Sequence, residues 1–547
     1  MPSQQSIGNY LIQKLYDYGV RHVFGVAGDF VLGFDKLLEE SELQFVTTCD
    51  EQGAGFAADA YARMHGLGVV CVTYCVGGLK VANTTAQAFA EKSPVVVISG
   101  APGIKERIKN PLLHHKVKEF DTQYQVFKQL TIDAVVVDNP ETAFQEIDRV
   151  LRSAWQYKRP VYIELPRDQV LLPGNAPLQL ATPSNQSDQE VLSEAITETV
   201  SLLNAARQPV ILAGVELHRF GLQSELLQLV EKTGIPVAET ILGKSVVPEL
   251  HPSYIGIYGG AMGDEKTREY VESSDCLLLL GTFLSDMNLG IFTANLDPKH
   301  SIYVTSEKTT IHFHSYEGIR LQDFIEKLLQ ADLNCHEFTP LRPVKQWRTF
   351  TPIAGQKITV DRLFQKLNTW LSDDLVVVAD VGDALFASLD LFIHQRSRFF
   401  SPAYYASLGF AVPASLGLQL ANPAARPLVL VGDGAFQMTG MELSTIARYG
   451  LNPIVIVLNN GGYGTERPMQ DGQFNDLLRW QYSQIPKVLG TGLGFRVTTE
   501  DELETALQES QAHTECFSLL DVYLDPQDIS PTLQRFTRAL GQRVKAG

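Results

Sequence analysis

Gly432-Asp433-Gly434-Ala435 follows directly on the apolar run Leu428 to Val431, and a later apolar run ends in Asn459-Asn460-Gly461-Gly462. A strand-helix-strand unit over this stretch sets two strand ends side by side. The Asp433 carboxylate, the Asn460 side-chain carbonyl and a free backbone carbonyl can then hold one hard cation. An all-oxygen set that leaves room for diphosphate oxygens and water suits magnesium. Gly434 and Ala435 are small enough for backbone N–H groups at the next helix N-terminus to approach phosphates. A lone Gly-Asp-Gly also reads as a strand-ending turn. The Asn-Asn-Gly-Gly partner is what points to a charged diphosphate.

Other residue types that can move protons lie elsewhere. Near the start are Ala27-Gly28-Asp29 and Cys49-Asp50-Glu51-Gln52-Gly53-Ala54. Glu51 follows an apolar strand and opens a small-residue helix, where an acid also favours the helix dipole. His114 and His115 are adjacent in LLHHKVKEFD, and Glu466 closes Gly462-Tyr463-Gly464-Thr465-Glu466. Leu408 stands in Tyr405-Ala406-Ser407-Leu408-Gly409, between two of these segments. Each has a plainer reading in isolation, as an incidental loop histidine, a solvated helix acid or a core leucine.

The elements that must position these residues are short β-branched runs ending in Gly, Pro or Asp turns. They include VVVISGAPG from Val95, PVILAGVE from Pro209, CLLLLGTF from Cys276, LVVVADVGDA from Leu375, LVLVGDGA from Leu428 and IVIVLNNGG from Ile454. Buried parallel strands separated by helices have this pattern. The predicted fold class is α/β, with three doubly wound parallel-sheet domains whose ligand sites lie beyond the carboxyl ends of the strands. Two Pro-rich polar stretches, from Leu171 and from His336, read as linkers. They divide the chain into an N-terminal domain (1–175), a middle domain (190–340) and a C-terminal domain (355–547).

Together these segments resemble the thiamine diphosphate enzymes, whose cofactor motif begins Gly-Asp-Gly and ends Asn-Asn, and the resemblance covers essentially the whole chain. It implies that Asp433, Asn460 and the Gly462 carbonyl bind Mg2+ and that Asp383, Gly434 and Ala435 contact the diphosphate. Ala406, Leu408 and Tyr463 join the cofactor contacts, Leu408 as the apolar side chain under the bent cofactor. Glu51 matches the glutamate that hydrogen-bonds the aminopyrimidine and so activates the cofactor. The His114-His115 pair narrows the resemblance to the pyruvate, indolepyruvate and phenylpyruvate decarboxylases, where Glu466 matches a catalytic glutamate. Asp29, Glu51, His114, His115 and Glu466 complete that family's acid and base set.

The implied reaction is non-oxidative decarboxylation of a 2-keto acid to an aldehyde, through a thiamine diphosphate ylid and enamine. A carboligase related to acetolactate synthase and a non-catalytic cofactor-binding relative are the other readings. Leu385 and Thr465 stand where pyruvate-specialised relatives usually carry Trp and Ile, and Met287 adds to the same wall, so a bulky aliphatic or aromatic keto acid is expected over pyruvate. The pyrimidine domain of one subunit is expected against the diphosphate domain of another, in a dimer or a dimer of dimers.

Composition narrows the rest. A net charge of -17 without a basic cluster argues against nucleic acid. The N-terminal residues read as an amphipathic helix, not as a secretion signal, and the apolar runs are too short to cross a bilayer. Six scattered cysteines, without Cys-x-x-Cys, fit a reducing cytoplasm. Ala238 to Ser245 has the look of a nucleotide P-loop but carries Ala where the first Gly is needed.

Overall fold

The computed structural model describes residues 5–176, 186–338 and 350–546, with side chains described to residue 538. Both expected linkers fall partly outside these ranges. Among the described residues, three sheets follow one another along the chain.

The first sheet has six parallel strands. Their spatial order is Gln44–Thr47, His22–Gly25, Gly68–Val72, Val95–Ala101, Val161–Pro166 and Asp133–Val136. The third has the same character, ordered Phe399–Phe400, Leu375–Ala379, Arg426–Gly432, Ile454–Asn459, Ser518–Tyr523 and Leu493–Val497. Its inner strands are buried on both faces, which is why they read as unbroken apolar runs. In each sheet the chain first pairs one neighbour and then crosses to the other side. That reversal opens a crevice at the carboxyl ends of His22–Gly25 and Gly68–Val72 in the first sheet, and of Leu375–Ala379 and Arg426–Gly432 in the third.

The seven-stranded middle sheet departs from the all-parallel expectation. Strands Thr309–Ile311 and His314–Tyr316 add an antiparallel hairpin at its edge, beside Ser301–Val304. The hairpin strands, Thr-Thr-Ile and His-Ser-Tyr, are three residues each and mostly polar, so they lack the long apolar run that marks a buried parallel strand. The P-loop look-alike lies in this domain. There Lys244 is buried, bonds Glu249 at 2.7 Å and donates to the Leu391 carbonyl.

The first and third domains meet helix to helix. Glu51–His65 packs on Ala411–Ala421, and the contact is lined by small residues. A Cβ on Gly417 would fall 2.0 Å from the Ala57 carbonyl oxygen, so the two backbones approach as only glycine permits. One apolar cluster runs through both domains, from Phe24 and Phe56 to Phe410 and Phe436.

Candidate active site

At the crevice of the third sheet, Asp433 is almost fully buried at the start of the helix Asp433–Thr439. Its Oδ1 accepts the Gly434 N–H at 2.8 Å, and its Oδ2 accepts those of Gly461 at 2.7 Å and Gly462 at 3.1 Å. Burial raises its carboxyl to about 6 against these three bonds. The Asn460 side-chain oxygen accepts the same Gly462 N–H at 3.2 Å. Strand pairing thus brings the oxygens of Asp433 and Asn460 onto one loop, as the spacing predicts. The donor chemistry is all oxygen, which fits Mg2+ and not a soft ion. Asn459, its neighbour in sequence, points the other way and bonds Asp521 in the core.

Space over this loop is tight. A Cβ on Gly434 would come 2.7 Å from the Tyr463 ring, so the aromatic residue lies against the bare backbone at the helix start. Glu466 is exposed beyond it. Asp383, expected near the diphosphate, instead gives both carboxylate oxygens to Ser530, including a 2.8 Å bond from the Ser530 N–H. Its backbone still opens the short helix Asp383–Ser388 at the crevice.

The expected wall residues divide. Leu385 has no exposed surface and belongs to the apolar core, so it presents no side to open space in the single chain. Met287 is partly buried against the same cluster. Thr465 is half-buried, with its Oγ1 3.0 Å from where a Cβ on Gly382 would stand.

At the crevice of the first sheet, Asp29 lies in the loop after His22–Gly25, and the His114-His115 pair comes from the long connection after Val95–Ala101. The structure brings them together: His114 Nε2 is 2.7 Å from Asp29 Oδ2, and one potential ligand atom from each of the three residues lies within 4.8 Å of the others. Phe30 holds both rings, stacked on His114 at 4.8 Å and edge-on to His115 at 5.8 Å.

Glu51 starts its helix as expected, after the Asp50 N-cap. Four positioning residues here carry no motif. Lys80 bonds Glu51 at 2.7 Å and also pairs with Asp50, contacts that raise the lysine pKa. Glu442 reaches across from the C-terminal domain and accepts the Cys49 and Asp50 N–H groups. Asp380 is buried, and its carboxylate holds the Gly409 and Ala411 N–H groups at 3.1 and 2.8 Å, which fixes the turn after Leu408. On the other side of that turn, Glu91 accepts the N–H groups of Tyr404 and Tyr405. Ala406 has a left-handed φ of +60°, and Leu408 packs partly buried on the shared cluster. These acids were invisible in the sequence because each acts on backbone amides distant along the chain.

Among the described residues, no hydrogen bond or ion pair joins the Asp29, His114 and His115 cluster to the Asp433 loop within one chain. Large apolar side chains are exposed on the segments that carry both clusters: Leu32, Val76 and Leu112 in the N-terminal domain, and Tyr405, Met438 and Leu478 in the C-terminal domain.

Three family profiles match the chain along its length. They are the thiamine pyrophosphate enzyme N-terminal TPP binding domain over residues 5–125, the central domain over 196–331 and the C-terminal TPP binding domain over 380–522. The fold and these matches define a thiamine diphosphate enzyme. The chain is 37% identical to an indole-3-pyruvate decarboxylase of Azospirillum brasilense, over 96% of this chain and 97% of that protein. It is 31% identical to pyruvate decarboxylase 1 of Pisum sativum (99% and 93% covered) and to an alpha-keto-acid decarboxylase of Mycobacterium avium (97% and 96% covered). The chain therefore belongs to the thiamine diphosphate-dependent 2-keto acid decarboxylases.

Proposed function

We propose that this decarboxylase acts by preference on bulky aliphatic or aromatic 2-keto acids, using Mg2+ to anchor the diphosphate and a site shared between two subunits. The observation that carries the catalytic assignment is the Asp29, His114 and His115 cluster, placed at the crevice of one domain while the oxygen set of Asp433 and Asn460 occupies that of another.

Asp433, Asn460 and the Gly462 carbonyl hold the metal, with the Gly434 and Ala435 backbone against the diphosphate. Ala406, Leu408 and Tyr463 line the rest of the cofactor, and Asp383 contributes through its helix start. The cofactor, when bound, supplies the electron sink for carbon–carbon cleavage. The protein's own groups bind, orient and move protons. Glu51, kept in place by Lys80 and Glu442, holds its carboxylate for the aminopyrimidine. Glu466 faces the substrate carboxylate and delivers a proton. Asp29 orients His114 through the 2.7 Å bond, and the two imidazoles carry protons at their ring nitrogens as product forms.

Subunit sharing is supported by the large apolar side chains exposed on the segments that carry the two clusters, since exposed apolar surface marks association sites. The free cysteines fit the proposed cytoplasmic setting; separately, among the described residues no helix is long and apolar enough to cross a membrane.

The test is anaerobic turnover of a panel of 2-keto acids, with and without thiamine diphosphate and Mg2+, reading carbon dioxide and aldehyde together. Equal amounts of both, with larger specificity constants for phenylpyruvate and 2-ketoisovalerate than for pyruvate, are expected. A hydroxyketone as main product, or pyruvate as best substrate, overturns the corresponding part.

A further inference from the structure

We propose that Asp29, His114 and His115 also form a second cation site, one that takes a borderline divalent transition ion, Zn2+ above all, and shuts the enzyme down when filled. The inhibitory consequence rests on the proton-moving role given to these residues above. The site itself rests on geometry.

Two imidazoles and a carboxylate are a zinc donor set, with Zn–N and Zn–O distances of about 2.0 to 2.2 Å. Such bonds put ligand atoms roughly 3.5 Å apart around a tetrahedral ion. The three donor atoms here already lie within 4.8 Å of one another, and the closest pair is at 2.7 Å. Closing on an ion therefore takes side-chain adjustments on the order of 1 Å. Asp29 and His114 are exposed and can make them.

The imidazoles are held for this task. Phe30, itself buried against Tyr74, contacts both rings, and the two rings stand edge to face at 4.8 Å. The His115 backbone is fixed in the left-handed region at φ +66°, a conformation that costs a non-glycine residue about 1 kcal/mol or more and is kept only where surroundings enforce it. Its Nδ1 is buried and has no hydrogen-bond partner among the described residues, so the ring is not committed to a structural bond there.

The two cation sites differ in chemistry. Asp433, Asn460 and Gly462 offer only oxygen, whereas the cluster offers two nitrogens and one oxygen, so magnesium in excess does not displace zinc from the imidazoles. A bound ion takes the lone pairs of His114 and His115 and breaks the hydrogen bond between His114 Nε2 and the Asp29 carboxylate. Those rings then neither accept nor donate a proton.

The experiment starts from protein stripped of cofactor and metals. Co2+ is titrated while its d–d absorption is followed, and Zn2+ binding is measured by equilibrium dialysis in excess Mg2+. Expected is a tight Zn2+ site per chain that excess Mg2+ leaves filled. It should be weakened about tenfold or more in Asp29→Asn, His114→Gln and His115→Gln, and kept in Asp433→Asn and Glu466→Gln, with circular dichroism confirming each fold. Retention in His114→Gln and His115→Gln, loss in Asp433→Asn, or emptying by Mg2+ would each overturn the proposal. Because the readout is binding, it stands apart from whether the protein decarboxylates. In a parallel arm, Zn2+ is expected to lower kcat at saturating Mg2+ and thiamine diphosphate, and unchanged kcat with the site filled would overturn the inhibitory part.

Discussion

The Glu442 carboxylate, buried in the C-terminal domain, accepts the Cys49 N–H at 3.0 Å and the Asp50 N–H at 3.1 Å in the N-terminal domain. It also takes a 2.8 Å bond from the Thr445 hydroxyl. A Cβ on Gly53 would meet Glu442 Oε1 at 2.2 Å, so a glycine in the first turn of the Glu51 helix makes the room. The acid thus ties the start of that helix to the segment that follows Asp433.

Glu442→Ala leaves these amides without their acceptor, which costs about 1 to 3 kcal/mol. Thermal unfolding should show a lowered Tm, and kcat should fall with it because Glu51 loses its fixed position. Glu442→Gln keeps one acceptor oxygen and should retain most of the stability. If Ala and Gln behave alike in both assays, the tie has no positioning role.

Asp380 gives a pH signature. Burial is the largest influence on its carboxyl and lifts it from 3.8 to about 6, against the bonds from Ala411 and Gly409. Between those values the folded chain holds a proton that the unfolded chain has released. The contribution of this group to stability is therefore full below pH 3.8 and is lost as pH rises through about 6. Relative to Asp380→Asn, which cannot titrate, the parent should lose about 1.4 kcal/mol between pH 5 and 8. Urea unfolding of both proteins across that range measures it, and a constant difference would count against the assignment.

Gly417 predicts the cost of separating the two domains. A methyl group there collides with the Ala57 backbone, not with a movable side chain, so Gly417→Ala must push the helices Glu51–His65 and Ala411–Ala421 apart. Overpacking of this kind costs about 1 to 3 kcal/mol or more. Denaturant unfolding should show that loss, and activity should drop because both Glu51 and the Leu408 turn ride on those helices.

The sheets and the Asp433 loop were legible in the sequence for a common reason: both depend on local signals, continuous apolar runs and glycine-rich strand ends. The edge hairpin Thr309–Ile311 and His314–Tyr316 was not, because three-residue strands of mostly polar side chains leave no apolar run. Lys80, Asp380 and Glu442 escaped because their partners are contributed by tertiary contact alone. Asp383 was placed by its position in a motif, yet Ser530, far along the chain, decides where its carboxylate goes.

The wall residues give the sharpest contrast. Leu385 is completely buried in the core, so Leu385→Trp adds bulk where there is no space and should cost about 1 to 3 kcal/mol whatever the substrate. Thr465 is half-buried beside Gly382 at the crevice and has room on one side. Thr465→Ile should keep the parent Tm while lowering the specificity constant for phenylpyruvate relative to pyruvate by about tenfold, the scale of a methylene-sized change in a pocket. Steady-state kinetics on both acids, paired with thermal unfolding, separates the two variants. A selectivity shift from Leu385→Trp at unchanged Tm would mean that this side chain faces substrate space completed by another subunit, and an unchanged ratio in Thr465→Ile would remove Thr465 from the wall.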